Sequence, residues 1–339
     1  MIIDLLIIAV VLLLAELAYF RVADRLNIID RPNERSSHSS IVLRGGGVIF
    51  LLSMAAWALM MLFQGNGQVV MMYLPFLIGL LIVSVVSFVD DIRSLPDSVR
   101  LVAQFVAMSM MFWSMGIMHW NMWWIVVIAL VVCVGATNVI NFMDGINGIT
   151  AGYALAVLIP LMLVNGNVGF VETSYLIVAI IGVLVFSIFN FRPKGKAKCF
   201  AGDVGSISIA FIMLFAIGRL VVQTQDVTYL IFLLVYGVDG CFTIIHRILL
   251  HENLGQPHRK HVYQLMANEL KIGHVSVSLV YMSIQLIISL GFLYLCPSSV
   301  LAHWLYMIGA IAVLGVAYVL FKKKYYHLHE EYLISVSRN

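Results

Sequence analysis

An all-α, polytopic membrane protein of about eleven transmembrane helices is the fold class that the sequence predicts, on three observations. Of 339 residues, 62% are hydrophobic and only 11% are charged, against about 25% charged in an ordinary soluble domain. The apolar residues form unbroken runs of about 20, the length that crosses a bilayer as a helix, rather than the alternating segments of a β-barrel. Mean hydropathy is +1.01. A soluble enzyme, a nucleic-acid binder and a disordered scaffold are thereby excluded, because too few polar residues remain to make a water-facing surface. Helices satisfy their own backbone hydrogen bonds, which lipid cannot do.

Eleven hydrophobic segments lie near 3–20, 42–63, 70–89, 99–118, 121–139, 149–165, 173–190, 205–222, 227–246, 274–296 and 300–321. The first lacks a basic leader and a small-residue cleavage site, so it is read as a retained helix. An odd count places the termini on opposite sides. Of the 20 Lys and Arg residues, all but Arg219 fall in the C-terminal tail or in loops that follow odd-numbered segments. The positive-inside rule makes that side cytoplasmic, with the N-terminus outside and the C-terminus in the cytoplasm. No soluble domain interrupts residues 1–339, which read as one transmembrane domain. Cys133, Cys199, Cys241 and Cys296 form no CxxC pair and read as small hydrophobes.

Five polar constellations lie on the basic side. The first runs from Asp30 through Asn33, Arg35 and His38 to Arg44 and the triplet Gly45-Gly46-Gly47. Glycines let backbone approach a ligand closely, and the start of the following helix attracts anions. The second is Asp90-Asp91 with Arg93 and Arg100. Adjacent carboxylates repel and need a cation to stay ionised together, and acids at a membrane edge are functional candidates. The third holds Asn138, Asn141, Asp144 and Asn147 between segments five and six. Asn138 and Asn141 share a helix face, and Asn147 can cap the next helix.

The fourth joins a basic, topogenic run from Arg192 to Lys198 with Gly202-Asp203-Val204-Gly205-Ser206. Asp203 stands where it can cap segment eight or ligate a metal. The fifth is the loop after segment nine, with His246, Arg247, His251, His258, Arg259, Lys260 and His261. No Cys accompanies these histidines and their neighbours are cations, so an anion site suits them better than zinc. Asp239, inside segment nine, reads as a structural partner for one of those cations.

Acids, amides and cations gathered on one face suit phosphoryl transfer. Mg²⁺ takes one or two carboxylates and shares phosphate oxygens with a substrate, and cations neutralise a diphosphate. A membrane location makes one substrate a lipid. No Walker-type loop is present, which argues against ATP as donor.

Taken in order, Asp90-Asp91, Asn138-x-x-Asn141-x-x-Asp144-Gly-x-x-Gly, Gly202-Asp203-x-Gly-Ser and the His-rich loop resemble the polyprenyl-phosphate N-acetylhexosamine-1-phosphate transferases. This superfamily, of glycosyltransferase 4 type, includes the phospho-N-acetylmuramoyl-pentapeptide transferases and the undecaprenyl-phosphate N-acetylglucosamine-1-phosphate transferases. The resemblance runs from about Asp30 to Gln264. It implies a multi-pass inner-membrane enzyme with its active site on the cytoplasmic face. Such an enzyme moves a sugar-1-phosphate from a UDP-N-acetylated hexosamine to undecaprenyl phosphate and releases UMP.

By resemblance, Asp203 binds Mg²⁺ (or Mn²⁺ as a substitute) with help from Asn141. Asp90 deprotonates or orients the lipid phosphate, with Asp91 in support. Arg100 touches phosphate, and Asp144 and Asn147 serve the nucleotide. Asn138, Arg44, the loop of Asn33, Arg35 and His38, and the trio His258, Arg259 and His261 are also expected at the substrates. A homodimer is expected from relatives alone.

Two departures narrow the branch. Many bacterial relatives carry DGxDG where this chain has Asn147, which removes an acidic role there. The last motif, His-Arg-Lys-His, together with Pro-Asn-Glu-Arg-Ser-Ser-His, looks most like the branch that initiates O-antigen and capsule synthesis, and less like the muramoyl-pentapeptide branch. Two other classes fit less well. A cation-coupled transporter should place its acids near mid-membrane between broken helices, whereas these cluster at one face. The paired-Asp motif of CDP-alcohol phosphotransferases is absent.

Overall fold

The computed structural model describes residues 2–30, 42–118, 121, 123–256 and 258–337. The chain runs α1 (Ile2–Arg25), β1 (Ile29–Asp30), β2 (Val42–Leu43), α2 (Val48–Phe63), α3 (Gly67–Ile92), α4 (Asp97–Met115), α5 (Trp123–Phe142) and α6 (Ile149–Val168). It continues as α7 (Thr173–Asn190), α8 (Gly202–Thr224), a 3-10 turn (Val227–Leu233), α9 (Leu234–Leu249), α10 (Val262–Asn268), α11 (His274–Tyr294) and α12 (Val300–Ser337). Every hydrophobic segment read from the sequence contains a helix. Among the described residues, ten spans are long and apolar enough to cross a membrane, the 3-10 turn and α9 counting as one. The remaining apolar helix, α2, has 16 residues.

Burial separates the inner helices from the outer ones. The α8 span is 83% buried and the α6 span 72%, whereas α1, α5 and α12 are 17%, 17% and 11% buried. An apolar helix buried on nearly all faces belongs at a bundle centre, and one exposing apolar side chains belongs against lipid. Around α8 pack α2, α3, α5 and α6, and α6 in turn packs on α7 and α11. Pro75 and Pro160 lie inside α3 and α6; membrane helices tolerate this where neighbours satisfy the freed carbonyls.

Three boundaries differ from the sequence reading. Segment two was expected to be helical from residue 42, but α2 starts at Val48. Residues Val42 and Leu43 instead pair with Asp30 and Ile29, and the Leu43 carbonyl accepts the Phe200 N–H at 2.8 Å. A short ladder thus ties the α1–α2 loop to the α7–α8 loop. Segment nine opens with a 3-10 turn before α9. Segment eleven extends to 38 residues, about 57 Å at 1.5 Å per residue, nearly twice the hydrocarbon thickness.

The glycine triplet was read as a way for backbone to approach a ligand. It brings two helix entrances together instead. The N–H groups of Gly46 and Gly47 donate to the carbonyls of Phe200 and Ala201 at 2.9 and 3.1 Å. A Cβ on Gly47 would fall 2.1 Å from the Gly205 Cα, so the starts of α2 and α8 touch backbone to backbone. This contact sets where Asp203 stands.

Candidate active site

Asp203 lies in the first turn of α8. Gly202 before it adopts φ of +69°, a conformation glycine takes without strain. The two N–H groups that follow, Asp203 and Val204, donate to the two oxygens of Asp91 at 2.9 and 3.0 Å. Asp91, at the end of α3, therefore caps α8 from another helix, satisfying donors that a helix start leaves open. Arg44 Nε lies 2.8 Å from the same carboxylate. Asp91 was expected beside the reacting groups. Its oxygens are engaged in holding the helix that carries Asp203.

Arg44 also reaches Asp203, Nη2 to Oδ1 at 4.0 Å. Arg100 approaches from α4, with Nη2 3.6 Å from Asp203 Oδ2 and Nη1 3.1 Å from Asp90 Oδ2. Asp90 Oδ1 accepts the Leu95 N–H at 2.6 Å. The charges thus alternate along a chain: Asp91, Arg44, Asp203, Arg100, Asp90. Asp203 makes only long contacts to its two guanidiniums, lies against the Asp90 carboxyl group and keeps 20% of its side chain exposed. Its oxygens are the least committed of the three acids.

The chain lies between two polar cavities. The first, about 310 Å³, is lined by Asp30, Arg44, Asn141, Phe142, Asp144, Asn147, Phe200, Asp203, Gln264 and His274 among others. The second, about 460 Å³, is lined by Asp97, Arg100, Gln104, Asn138, Phe142, Arg247, His258 and His261 among others. Phe142 belongs to both.

Around the first cavity, the Ser206 hydroxyl donates to Asn141 Oδ1 at 2.5 Å, fixing the amide one helical turn from Asp203. The Thr150 hydroxyl donates to Asp144 Oδ1 at 2.5 Å. Burial pushes the Asp144 carboxyl up to about 6, against the pull of that hydroxyl. The side-chain amide of Asn147 donates to the carbonyls of Arg192 and Pro193 at 2.9 and 3.1 Å, stapling its turn to the basic loop. Asn147 was expected to cap α6 or meet the nucleotide; it is 2% exposed and acts as a strut in the cavity wall. Asn190 supports the same turn, accepting the Gly148 N–H at 2.8 Å and donating to the Cys199 carbonyl at 2.9 Å.

Around the second cavity, Asn138 Nδ2 donates to Gln104 Oε1 at 2.7 Å, an amide pair joining α4 to α5. Burial, with the positive Arg247 nearby, pushes the His258 imidazole down to about 3, so it is neutral at ordinary pH. His261 Nδ1 stands 3.4 Å from Asp239 Oδ1. That aspartate also accepts from Val262 N–H at 3.1 Å and Tyr281 hydroxyl at 2.6 Å. Asp239 is thus the histidine loop's anchor.

Arg259 was expected at substrate, and the fold turns it away. Its Nη2 bonds Glu269 Oε1 at 2.9 Å, and its guanidinium lies 4.1 Å over the Tyr332 ring on α12. His329, also on α12, meets the same Glu269 oxygen at 3.0 Å. Asn33, Arg35 and His38 lie outside the described residues. Gln104, Asn190, Phe200 and His274 line or brace the site and were not singled out in the sequence. A Gln one turn beyond Arg100 in an otherwise apolar helix was the available signal for Gln104.

A magnesium ion fits this donor set. Among the described residues, no three His, Cys, Asp or Glu side chains are grouped to hold a metal by themselves. Asp203 and the adjacent Asn141 amide offer hard oxygens, and Mg²⁺ characteristically takes one or two protein oxygens and completes its shell with phosphate and water.

Comparisons with known proteins cover the stretch of chain that holds these residues. A family model described as "Glycosyl transferase family 4" matches residues 73–221, a span that carries Asp90, Asp91, Arg100, Asn138, Asn141, Asp144, Asn147 and Asp203. The chain is 26% identical over 281 residues to a "Probable undecaprenyl-phosphate N-acetylglucosaminyl 1-phosphate transferase" of Bacillus subtilis, covering 77% of this chain and 76% of that one. It is 32% identical over 126 residues to a "Phospho-N-acetylmuramoyl-pentapeptide-transferase" of Thermotoga neapolitana, covering 37% of this chain and 39% of that one. The protein of the same description from Geobacillus thermodenitrificans is 34% identical over 119 residues, 35% of this chain and 33% of that one. With four motifs in order, a helical membrane bundle and these relatives, the chain is similar to the superfamily of polyprenyl-phosphate hexosamine-1-phosphate transferases.

Proposed function

We propose that this protein transfers an N-acetylhexosamine-1-phosphate from a UDP-sugar to undecaprenyl phosphate, releasing UMP, as the first membrane step of a cell-surface polysaccharide. The observation that carries this reading is the chain of alternating charge from Asp91 to Asp90, set between two cavities that share one aromatic wall. Two anionic substrates, each close to doubly charged, repel one another in a low-dielectric site. Arg44 and Arg100 flank Asp203 and offset part of that repulsion, with one guanidinium in the wall of each cavity.

The first cavity, with Asp144 and the amide-rich turn, suits the nucleotide-sugar. The second, with Arg100, Arg247 and neutral His258, suits the lipid phosphate. Asp90 positions Arg100, since both its oxygens are engaged. Asp203, with Asn141, holds Mg²⁺ (or Mn²⁺), which when bound neutralises diphosphate charge and stabilises the leaving UMP. With the N-terminus outside, this end of the bundle faces the cytoplasm of a bacterial inner membrane, where UDP-sugars are made. A homodimer is proposed on the resemblance alone.

A second reading within the superfamily, transfer of phospho-N-acetylmuramoyl-pentapeptide, is favoured by the two relatives of that description. They match a third or so of this chain, whereas the Bacillus subtilis relative matches three quarters, which favours an N-acetylhexosamine. The test is UMP release by the detergent-purified protein with undecaprenyl phosphate, Mg²⁺ and a panel of UDP-N-acetylhexosamines plus the UDP-muramoyl-pentapeptide. Lipid- and metal-dependent release with one hexosamine, absent in Asp203→Ala, supports the reading. Release with the pentapeptide alone selects the second.

A further inference from the structure

A cleft of about 650 Å³ opens between α9 and α12. It shares no lining residue with either catalytic cavity. Its apolar wall is Phe242, Ile245 and Leu249 on α9 facing Val319 on α12. Ile245, Leu249 and Val319 are 51%, 70% and 55% exposed, so the cleft is open sideways to lipid. Its polar end holds His246 on α9 and Lys322 and Lys323 on α12.

Position and charge both bear on what fills it. Counting from Val300, about 20 helical residues cross the hydrocarbon, which brings Lys322 and Lys323 to the bilayer edge. That edge is at the catalytic end of the bundle, because His246 in the cleft adjoins Arg247 in the second catalytic cavity. Lys322, 7% exposed, donates Nζ to the Lys260 carbonyl and lies 5.0 Å from the Tyr326 ring centre; neither partner carries a charge. Lys260 and Arg247, 7% and 3% exposed, both pair with Glu252.

Arg247 and Lys260 thus share one carboxylate, while Lys322 feels Asp239, Glu269 and Glu252 from beyond ion-pair distance. The next acids, Asp239 and Glu269, are engaged with His261 and Tyr281, and with Arg259 and His329. At the mouth, Glu330 is the one acid among the described lining residues, beside His246, Lys322 and Lys323. Buried charge without a counter-charge is costly. The Nδ1 of His246 is also buried without a hydrogen-bond partner. Lysines that merely snorkel would place their ammonium groups in water, and Lys322 does not.

We propose that the cleft between α9 and α12 binds the phosphate of an anionic phospholipid, with Lys323 and His246 at the headgroup and an acyl chain along Phe242, Ile245 and Val319. Basic pockets between transmembrane helices at a membrane edge recognise such headgroups. The phosphate held here is not a reacting one, because among the described residues no catalytic carboxylate lines the cleft.

The test uses the whole protein reconstituted in equal parts of phosphatidylglycerol and phosphatidylcholine. Lipids retained after mild detergent extraction are counted by native mass spectrometry. Wild type should retain phosphatidylglycerol preferentially. Lys323→Gln should lower that preference about fivefold, the effect of one interfacial lysine. Val319→Trp, which fills the cleft and leaves its charges, should lower retention of both lipids. Both positions are exposed, and an unchanged melting temperature verifies folding. Equal retention of the two lipids by wild type, a preference unmoved by Lys323→Gln, or retention unmoved by Val319→Trp overturns the proposal. Displacement of phosphatidylglycerol by equimolar undecaprenyl phosphate also overturns it, by making the carrier the source of the bound phosphate.

Discussion

The carboxylate of Asp91 receives the backbone N–H of Asp203 at 2.9 Å. One acid of the site thereby orients another through the start of a helix, and the two should respond differently to substitution. Asp203→Ala should lower UMP release by about 100-fold or more, the scale of losing a group that stabilises transition-state charge, with little change in melting temperature. Asp91→Ala should lower both, because it uncaps α8, a loss of about 0.5–2 kcal/mol, and strands Arg44. Thermal melting in detergent beside the UMP assay separates them. An Asp91→Ala protein as stable as wild type would refute the capping role.

Arg100 uses two nitrogens on two acids, Asp90 and Asp203. A lysine offers one point charge in place of that fork. Arg100→Lys should therefore retain measurable turnover where Arg100→Ala loses roughly 100-fold. Equal losses would mean that charge at this position is not what matters.

Gly47→Ala should damage folding rather than chemistry. Its Cβ would meet the Gly205 Cα at 2.1 Å, and backbone cannot swing away as a side chain does. Overpacking of this kind costs typically about 1–3 kcal/mol. Yield of monodisperse protein and melting temperature should both fall. A normal yield would show that α2 and α8 can separate freely.

Asp144 gives a pH signature with a definite sign. Burial raises its carboxyl from 3.8 to about 6, so the folded protein holds this proton more tightly than the unfolded chain. Its contribution to stability is complete below pH 4 and is lost as pH rises through 6. Asp144→Asn should remove that slope from a plot of melting temperature against pH. An identical slope in the variant would assign the titration elsewhere.

Arg259 should behave as a structural residue. Removing one partner of a buried ion pair costs about 3–5 kcal/mol, and Glu269 is 3% exposed. Arg259→Ala and Glu269→Gln should each lower the melting temperature, while the KM for the UDP-sugar in surviving enzyme stays within about twofold, the change expected when no substrate contact is lost. A large rise in KM at unchanged stability would return Arg259 to the substrate.

Much of this molecule is legible in its sequence because lipid imposes simple rules. Apolar runs of bilayer length mark the helices, and Asp90, Asp203 and Asn141 announce themselves as polar residues at helix ends. Arg100 and Arg44 are legible as cations on the same face. What could not be read was which acid does what. Asp90 and Asp91 are adjacent in sequence, yet successive helical residues point in different directions, and one meets Arg100 while the other meets α8. The glycine triplet looked like a ligand loop because its true neighbour, Gly205, is more than 150 positions away. Asn138 and Asn147 do line the cavities, but their partners within the fold, Gln104 and the carbonyls of residues 192–193, are set by tertiary packing and could not be read. Arg259 sits in a basic motif, and nothing local says that α12 returns to cover it.

The shared wall at Phe142 has a kinetic meaning. Two cavities that adjoin at one ring can be filled together, and filling one leaves the other open. On the proposed reading, donor and acceptor can then be present before any bond changes, with Asp203 in the wall of one cavity and Arg100 in the wall of the other. Initial-rate plots at several fixed acceptor concentrations should give intersecting rather than parallel lines. UMP should also fail to exchange into the UDP-sugar when the lipid is left out.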